Sequence, residues 1–443
     1  MNIEEKIARQ HEVVRLDKAK LSKHDEELKN FIKSFEASSK KVVKTDYDQL
    51  HLGYYTYNNQ IFLTREDALD CMLAKGDYAG NIQFYYNDHI FSTINWENTI
   101  PFASISYLYK MRAQQLRDKY RYLILRYSGG SDSTQVLESF LKNGIFLDEI
   151  VVVHHQRAIN RLDRNMLMRD ETLSEYMEYE MAVIPQLKRV KELSPNTKIT
   201  LLDSSDNLVD QLGNKKYEYL GYNDEPRSLR WVTGGVGKNW APLLIKHERQ
   251  SVTKESVAII RGLEKPVIDI SSDGKIFFLF SDSTLNGQIG AFFQKNGAPY
   301  TIEDFYWSPD FPLIPVKQCH MIIDKLIKNE MLYNDWRRIQ NIVKNALLDP
   351  KIKSAPGFIL DRWYNTIIYP DWDPNIFVGS KPTNISPDIK LVETLGISHT
   401  AHDFYADYQA YKWKKYDKII NKSNLNKTLF SRLYYLGQFK PEF

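Results

Sequence analysis

The stretch Tyr122-Leu123-Ile124-Leu125-Arg126-Tyr127, followed at once by Ser128-Gly129-Gly130-Ser131-Asp132-Ser133, decides the fold of this chain. The first six residues have the apolar pattern of a buried strand. The next residues open a helix that carries Val136, Leu137 and Phe140 on one side. Glycines let a backbone approach an anion closely, and a helix N-terminus adds free N–H groups and positive partial charge. The stretch therefore predicts an anion-binding loop between a strand and a helix.

Each loop residue has an expected role. Ser128, Gly129 and Gly130 are predicted to supply backbone contacts to phosphate, and Ser131 and Ser133 to add hydroxyl donors. The remaining residue, Asp132, carries a carboxylate that would repel a phosphate. That conflict is resolved if Asp132 binds Mg²⁺, whose charge joins it to the phosphates. A flexible serine-glycine turn is the alternative, and the strand before and helix after the loop argue against it.

Outward from the loop, short apolar strands alternate with helices. Strands are predicted at Glu149–Val153, Lys198–Leu202 and Ser256–Ile260, with a long helical region over 163–193. Short strands that are apolar on both faces and separated by helices indicate a parallel sheet covered on two sides. The predicted fold class is α/β, with a doubly wound parallel sheet.

Three regions are expected along the chain. Residues 1–120 form a small α+β region, with a helix to about 41, an antiparallel sheet within 47–100 and a helix over about 104–119. Residues 121–265 form the parallel-sheet domain. Residues 266–443 form a mixed, largely helical region that opens with a hairpin over 267–280 and has a helix near 404–420. The N-terminal helix is either a homo-oligomer contact or a solvated helix with one apolar stripe.

The amino-acid composition favours some classes of protein and excludes others. With 43% hydrophobic and 26% charged residues, the chain is expected to be a soluble globular protein. It has no apolar run long enough to span a membrane and no secretory signal, so a cytoplasmic location without membrane association is expected. Its two cysteines, Cys71 and Cys319, exclude a disulfide framework. A net charge of +3 does not by itself indicate nucleic-acid binding.

The loop resembles the Ser-Gly-Gly-x-Asp-Ser pyrophosphate loop of the ATP pyrophosphatase (PP-loop) superfamily, whose members are adenine nucleotide alpha hydrolase-like proteins. All defined positions of that motif match residues 128–133. The resemblance implies a HUP-like sheet of about five parallel strands, with ATP and Mg²⁺ bound at the carboxyl ends. It also implies transfer of AMP to a substrate oxygen with release of pyrophosphate, after which a second nucleophile displaces AMP.

Further residues at predicted strand ends are candidates for contacts with the nucleotide. His154 ends the second strand and is expected to touch adenine, ribose or a metal. Three cations, Lys238, Arg261 and Lys265, are placed to stabilise the charge that develops on pyrophosphate. Each has an ordinary alternative as a cap or a surface charge. With Asp132, these three are the predicted catalytic residues.

Two groups within the superfamily look nearest. The lead-in 114–120 looks like the synthetase domain of asparagine synthetases. Asn2 stands where their glutamine-dependent members have a catalytic cysteine, so an amine would come as free ammonia or within a substrate. The segments 262–266 and 306–310 look like phage-encoded members related to phosphoadenylylsulfate reductases. A P-loop is disfavoured, because Val232 and Asn239 occupy the flanks that define one around Gly237-Lys238.

Three functions remain open on the sequence. The first is an ATP-dependent, AMP-forming ligase that amidates a small molecule. The second is an enzyme that modifies a base of tRNA or DNA by the same adenylation chemistry. The third is a protein that binds ATP without turning it over. No motif identifies the acceptor.

Overall fold

The computed structural model describes residues 50, 53–63, 65–154, 179–203, 256–262, 265–282, 300–348, 357–372, 415–425 and 428–443. The helix expected before residue 41, the loop with Lys238 and most of a helix expected over 404–420 lie outside these ranges. So does the first half of the helical region expected over 163–193. No helix within the described ranges combines the length and apolar character needed to cross a membrane.

A three-stranded antiparallel sheet opens the described structure. Its strands are β1 (Tyr54–Tyr57), β2 (Gln60–Phe62) and β3 (Gln83–Tyr85), in the order β2-β1-β3. Asn58 and Asn59 join β1 to β2 with φ of 48° and 61°, the left-handed values that two-residue hairpin turns need. The antiparallel sheet expected within 47–100 is confirmed.

Three helices accompany this sheet and lead to the central one. They are α1 (Arg65–Lys75), α2 (Asp88–Phe91) and α3 (Ile105–Lys119). The helix α3 begins where the Ser104 side chain accepts a hydrogen bond from the Tyr107 N–H, as a serine N-cap does. It agrees with the helix that the sequence predicts before the first parallel strand.

The central sheet has five strands, all parallel. In chain order they are β4 (Tyr122–Arg126), β5 (Glu149–His154), β6 (Lys198–Asp203), β7 (Val257–Arg261) and β10 (Thr301–Asp304). Their order across the sheet is β10-β7-β4-β5-β6. All five residues of β7 are buried, as expected of a strand covered on both faces. The predicted α/β class with about five parallel strands is confirmed.

Two helices connect strands on the β5–β6 side of the sheet. The first, α4 (Ser131–Leu141), follows the serine-glycine loop and is succeeded by Gly144 at φ 64°, a common way for a helix to end. The second, α5 (Ile184–Leu193), continues from a π-helical turn at Tyr179–Val183. It ends just before Ser194-Pro195, where the sequence predicts the end of that helical region.

The fifth parallel strand comes from beyond residue 265. Before β10, the chain forms the hairpin of β8 (Val267–Ile270) and β9 (Lys275–Leu279). The hairpin agrees with the sequence prediction. A third strand, β11 (Tyr434–Gln438), pairs antiparallel with β9, and the sequence did not predict this pairing. The region 266–443 thus supplies one strand of the central sheet. The boundary proposed at 265 stays a prediction.

Helices make up much of the described C-terminal region. They are α6 (Leu313–Ile327), α7 (Glu330–Leu348) and α8 (Gly357–Ile368). Residues of α6 are buried along most of its length, and Gln318 on it donates to the hydroxyl of Tyr109 on α3. The largely helical character that the sequence predicts is found in these residues.

A buried ion pair joins α3 to β10. Glu303 Oε2 lies 2.7 Å from Arg112 Nη2, and its Oε1 lies 3.0 Å from Lys119 Nζ and accepts from the Tyr120 hydroxyl at 2.5 Å. Burial alone would raise the pKa of Glu303. Arg112, Lys119 and Tyr120 outweigh burial and lower this pKa to about 2. The carboxylate therefore stabilises the fold above the ordinary glutamate pKa, and this contribution is lost as pH falls toward 2.

Glu303→Gln is expected to lower the free energy of unfolding at pH 7 by on the order of 3 kcal/mol, because Arg112 loses its buried carboxylate. The variant should also lose stability less steeply than the wild type between pH 4.5 and 2. Urea unfolding at several pH values measures both effects. Asp310→Asn is the control, since it removes an exposed partner of Lys119 and should change little. Equal effects of the two variants would contradict the expectation.

Candidate functional site

The serine-glycine loop lies at the carboxyl end of the central strand β4. From β4 the chain proceeds to β5 and β6 on one side of the sheet, and β7 and β10 fill the other side. The order of strands reverses between β4 and β7, and open α/β sheets bind ligands in the crevice at such a point. The loop is therefore where the sequence places it, at the edge at which a ligand site is expected.

The loop backbone leaves the start of α4 open. Gly129 has φ 83°, in the left-handed region that favours glycine, whereas Gly130 is extended with φ −68° and ψ 160°. Gly130 is the N-cap of α4, and no side chain caps the helix among the described residues. The first-turn N–H groups of an α-helix have no partner within the helix. This geometry suits an anionic ligand.

Two serine hydroxyls hold the turn together. Ser133 Oγ donates to the Gly130 carbonyl at 3.1 Å and accepts from the Ser128 N–H at 3.3 Å. Ser128 Oγ accepts from the Gly130 N–H at 3.3 Å. Ser131, at the first position of the helix, is buried. The observed role of Ser128 and Ser133 is to shape the loop, and their contact with phosphate stays a prediction.

Lys265 lies beside Asp132. Its Nζ is 2.7 Å from Asp132 Oδ1, with the Lys265 side chain 12% exposed and that of Asp132 31% exposed. Lys265 follows β7, whose carboxyl end lies beside that of β4, so the parallel register explains the meeting. Of the cations predicted from the sequence, Lys265 is the one that the described structure brings to the loop.

Two tyrosines that the sequence analysis did not single out also contact Asp132. Tyr369 donates its hydroxyl to Asp132 Oδ1 at 2.5 Å, and Tyr306 donates to the Asp132 backbone carbonyl at 2.7 Å. Burial raises the pKa of both phenols well above the ordinary value, and the charge of Asp132 raises each further. Both hydroxyls therefore stay protonated and act as donors. Tyr306 lies in the noted segment 306–310, but no pattern pointed to Tyr369.

The end of β7 touches the loop backbone directly. A Cβ on Gly262 would lie 2.8 Å from the Asp132 carbonyl oxygen and 3.0 Å from Ser133 Cα. Neither atom belongs to a flexible side chain, so any larger residue would displace the loop. Gly262 is thus needed for the close packing of two strand ends, a role that the sequence alone did not reveal.

Arg261 forms an ion pair with the neighbouring strand β10. Its side chain is 2% exposed, and its Nη2 lies 2.8 Å from Asp304 Oδ1 on the neighbouring strand. Burial lowers the pKa of the guanidinium, and Asp304 opposes this shift. The physical reason is register: Arg261 pairs with Asp304 in the parallel ladder of β7 and β10. The predicted contact of Arg261 with pyrophosphate stays a prediction.

Two further candidate residues, His154 and Lys238, lie on other segments of the chain. His154 ends β5, is buried, and stacks on Tyr179 with ring centroids 3.9 Å apart. Its expected contact with adenine, ribose or a metal stays a prediction. Lys238 lies outside the described residues. Cys71 is half-buried and Cys319 buried, and both are free thiols.

The donor set fits a magnesium-bound polyphosphate. No group of three or more His, Cys, Asp or Glu side chains able to hold a metal occurs within the described ranges. Mg²⁺ at nucleotide sites is usually held by one or two carboxylates together with the phosphates and water. Asp132 would supply that carboxylate, while the N–H groups at the start of α4 and Lys265 would face the phosphates.

No protein-family model matches this sequence, and no curated protein matches it. The functional assignment therefore depends on the motif and on the geometry around it.

Proposed function

We propose that this chain is an ATP pyrophosphatase of the PP-loop type with a HUP-like nucleotide domain. It binds ATP at residues 128–133, transfers AMP to a substrate oxygen with release of pyrophosphate, and lets an amine displace the AMP. The observation that carries the proposal is the position of this loop. It follows the central strand of a five-stranded parallel sheet, at the point where the strand order reverses.

The contacts around the loop support a division of roles. The N–H groups at the start of α4 bind phosphate oxygens, and Gly129 provides the left-handed turn that aims them. Lys265 stabilises negative charge as pyrophosphate leaves. Asp132 would hold Mg²⁺, which would supply charge neutralisation at the phosphates. In this proposal Arg261 maintains the sheet through its buried pair with Asp304.

An experiment with labelled ATP tests the proposal and identifies the acceptor of AMP. The protein is incubated with Mg²⁺, ATP labelled at the α-phosphate, and cell extract fractionated into small molecules and nucleic acids. We expect pyrophosphate release that depends on one fraction. The α-phosphate label should then appear on a molecule of that fraction or in released AMP. Dependence on the nucleic-acid fraction with steep salt sensitivity would identify a base-modifying enzyme.

Two results, one from this experiment and one from calorimetry with ATP, would contradict the proposal. ATP binding without pyrophosphate release in any fraction would make the chain an ATP-binding protein without turnover. Absence of ATP binding by calorimetry would remove the nucleotide assignment altogether. A cytoplasmic location and a homo-oligomeric state belong to the same proposal, and cell fractionation and sedimentation test them separately.

A further inference from the structure

Tyr369 ties the C-terminal region to the serine-glycine loop. It directly follows α8, and its N–H donates to the Asn365 carbonyl at 3.0 Å, so it continues the last turn of that helix. Its side chain is 2% exposed. The neighbouring Ile368 carbonyl accepts from the Tyr109 hydroxyl at 2.8 Å, which anchors the same turn to α3.

The residues after Tyr369 are fastened to the helix that follows the loop. The Asp371 N–H donates to Gln135 Oε1 at 3.2 Å, and Gln135 Nε2 donates to Asp371 Oδ2 at 3.0 Å. Lys142 Nζ lies 2.5 Å from Asp371 Oδ1. These contacts hold residues 369–371 against α4 along the helix. The hydroxyl of Tyr369 is therefore presented to the loop by a rigid support.

Three groups converge on Asp132. The Tyr369 hydroxyl and Lys265 Nζ both contact Asp132 Oδ1, at 2.5 Å and 2.7 Å. Lys265 Nζ also lies 5.6 Å from the centre of the Tyr369 ring, within the range of a cation–π contact. The Tyr306 ring packs 5.5 Å from that of Tyr369 and fixes the Asp132 carbonyl. Both side-chain contacts use the same carboxylate oxygen.

We propose that Tyr369 is a positioning residue for the pyrophosphate loop. Its hydroxyl, with Lys265, fixes the rotamer of Asp132 before any ligand arrives, so that the carboxylate would meet the phosphate-bound metal without reorganising. Partners that orient a metal-binding carboxylate affect metal affinity and activity although they touch neither metal nor substrate. The inference rests on the proposed function for its kinetic consequence, but the loop geometry that it claims exists without a ligand.

Tyr369→Phe tests this role, because it removes one hydroxyl and keeps the ring. The kcat of pyrophosphate release is expected to fall on the order of 10-fold to 100-fold, with KM for ATP nearly unchanged. In the ligand-free protein, the amides of residues 129–133 should exchange with deuterium faster than in the wild type, by on the order of 10-fold. A purely structural role would not separate kcat from KM.

Tyr364→Phe is the matched control. Tyr364 lies on α8 and is buried, and its hydroxyl accepts from Trp336 Nε1 at 3.0 Å rather than contacting the loop. The control should leave kcat, KM and exchange of residues 129–133 at wild-type values. Amides of β1 provide an internal reference, since general destabilisation would accelerate their exchange as well.

The readouts separate the inference from the proposed function. Faster exchange confined to 129–133 in Tyr369→Phe supports the positioning role even if the wild type releases no pyrophosphate, a result that would refute only the proposed function. Wild-type exchange in Tyr369→Phe, or equal acceleration in β1 and in the loop, overturns the inference. An active Tyr369→Phe enzyme whose KM rises while kcat stays constant also overturns it.

Discussion

Replacement of Asp132 by asparagine is expected to leave the protein folded and to lower Mg²⁺-dependent pyrophosphate release by a factor on the order of 100 to 1000. Asparagine has the same shape and keeps an oxygen that can accept from the Tyr369 hydroxyl. It lacks the negative charge that pairs with Lys265 at 2.7 Å and that, under the proposed function, would hold Mg²⁺. The loop would keep its conformation, but the negative charge that the proposed reaction needs at residue 132 would be lost.

A continuous pyrophosphate assay measures the rate, and calorimetry with and without Mg²⁺ measures ATP binding. We expect the Mg²⁺-dependent part of ATP affinity to disappear in Asp132→Asn. The control is Asp118→Asn, which removes an exposed carboxylate on α3 that accepts a hydrogen bond from Gln114. It should behave as wild type. Wild-type turnover by Asp132→Asn would count against the assignment of the metal and of the reaction.

Gly262→Ala is expected to weaken ATP binding on the order of 10-fold to 100-fold and to lower the free energy of unfolding by about 1 to 3 kcal/mol. The added Cβ would lie 2.8 Å from the Asp132 carbonyl oxygen and 2.9 Å from its carbonyl carbon. Backbone atoms cannot move aside as a flexible side chain can. The loop, or the end of β7 that carries the chain toward Lys265, has to shift.

The control for this variant separates loss of stability from displacement of the loop. Gly144→Ala, just beyond the same helix α4, places a methyl group with nothing within 4 Å but at φ 64°. It should cost on the order of 1 kcal/mol through backbone strain and leave ATP affinity unchanged. Urea unfolding and calorimetry measure the two quantities. Normal ATP affinity in Gly262→Ala would show that the contact between β7 and the loop does not shape the binding site.

Local patterns were sufficient for much of the fold. The strands around the loop, the helix after it and the hairpin of β8 and β9 agree with the sequence to within a residue or two. Apolar periodicity and turn residues act over a few positions, so they can be recognised without knowing the rest of the chain. The fifth parallel strand and β11 could not be assigned in this way. A short strand becomes part of a sheet only by pairing with a distant one.

The candidate site likewise has a part that the sequence predicts and a part that only the tertiary structure decides. The motif at 128–133 and its place between a buried strand and a helix follow from the sequence, because helix initiation and glycine content depend on neighbouring residues. The partners of Asp132 were decided by tertiary structure. Tyr369 lies 237 positions away in the chain, and parallel register turned Arg261 into a buried partner of Asp304 while Lys265 came to Asp132. Side chains far apart in sequence come into contact only where the packing of sheet and helices brings them together, and no local sequence pattern predicts such a contact.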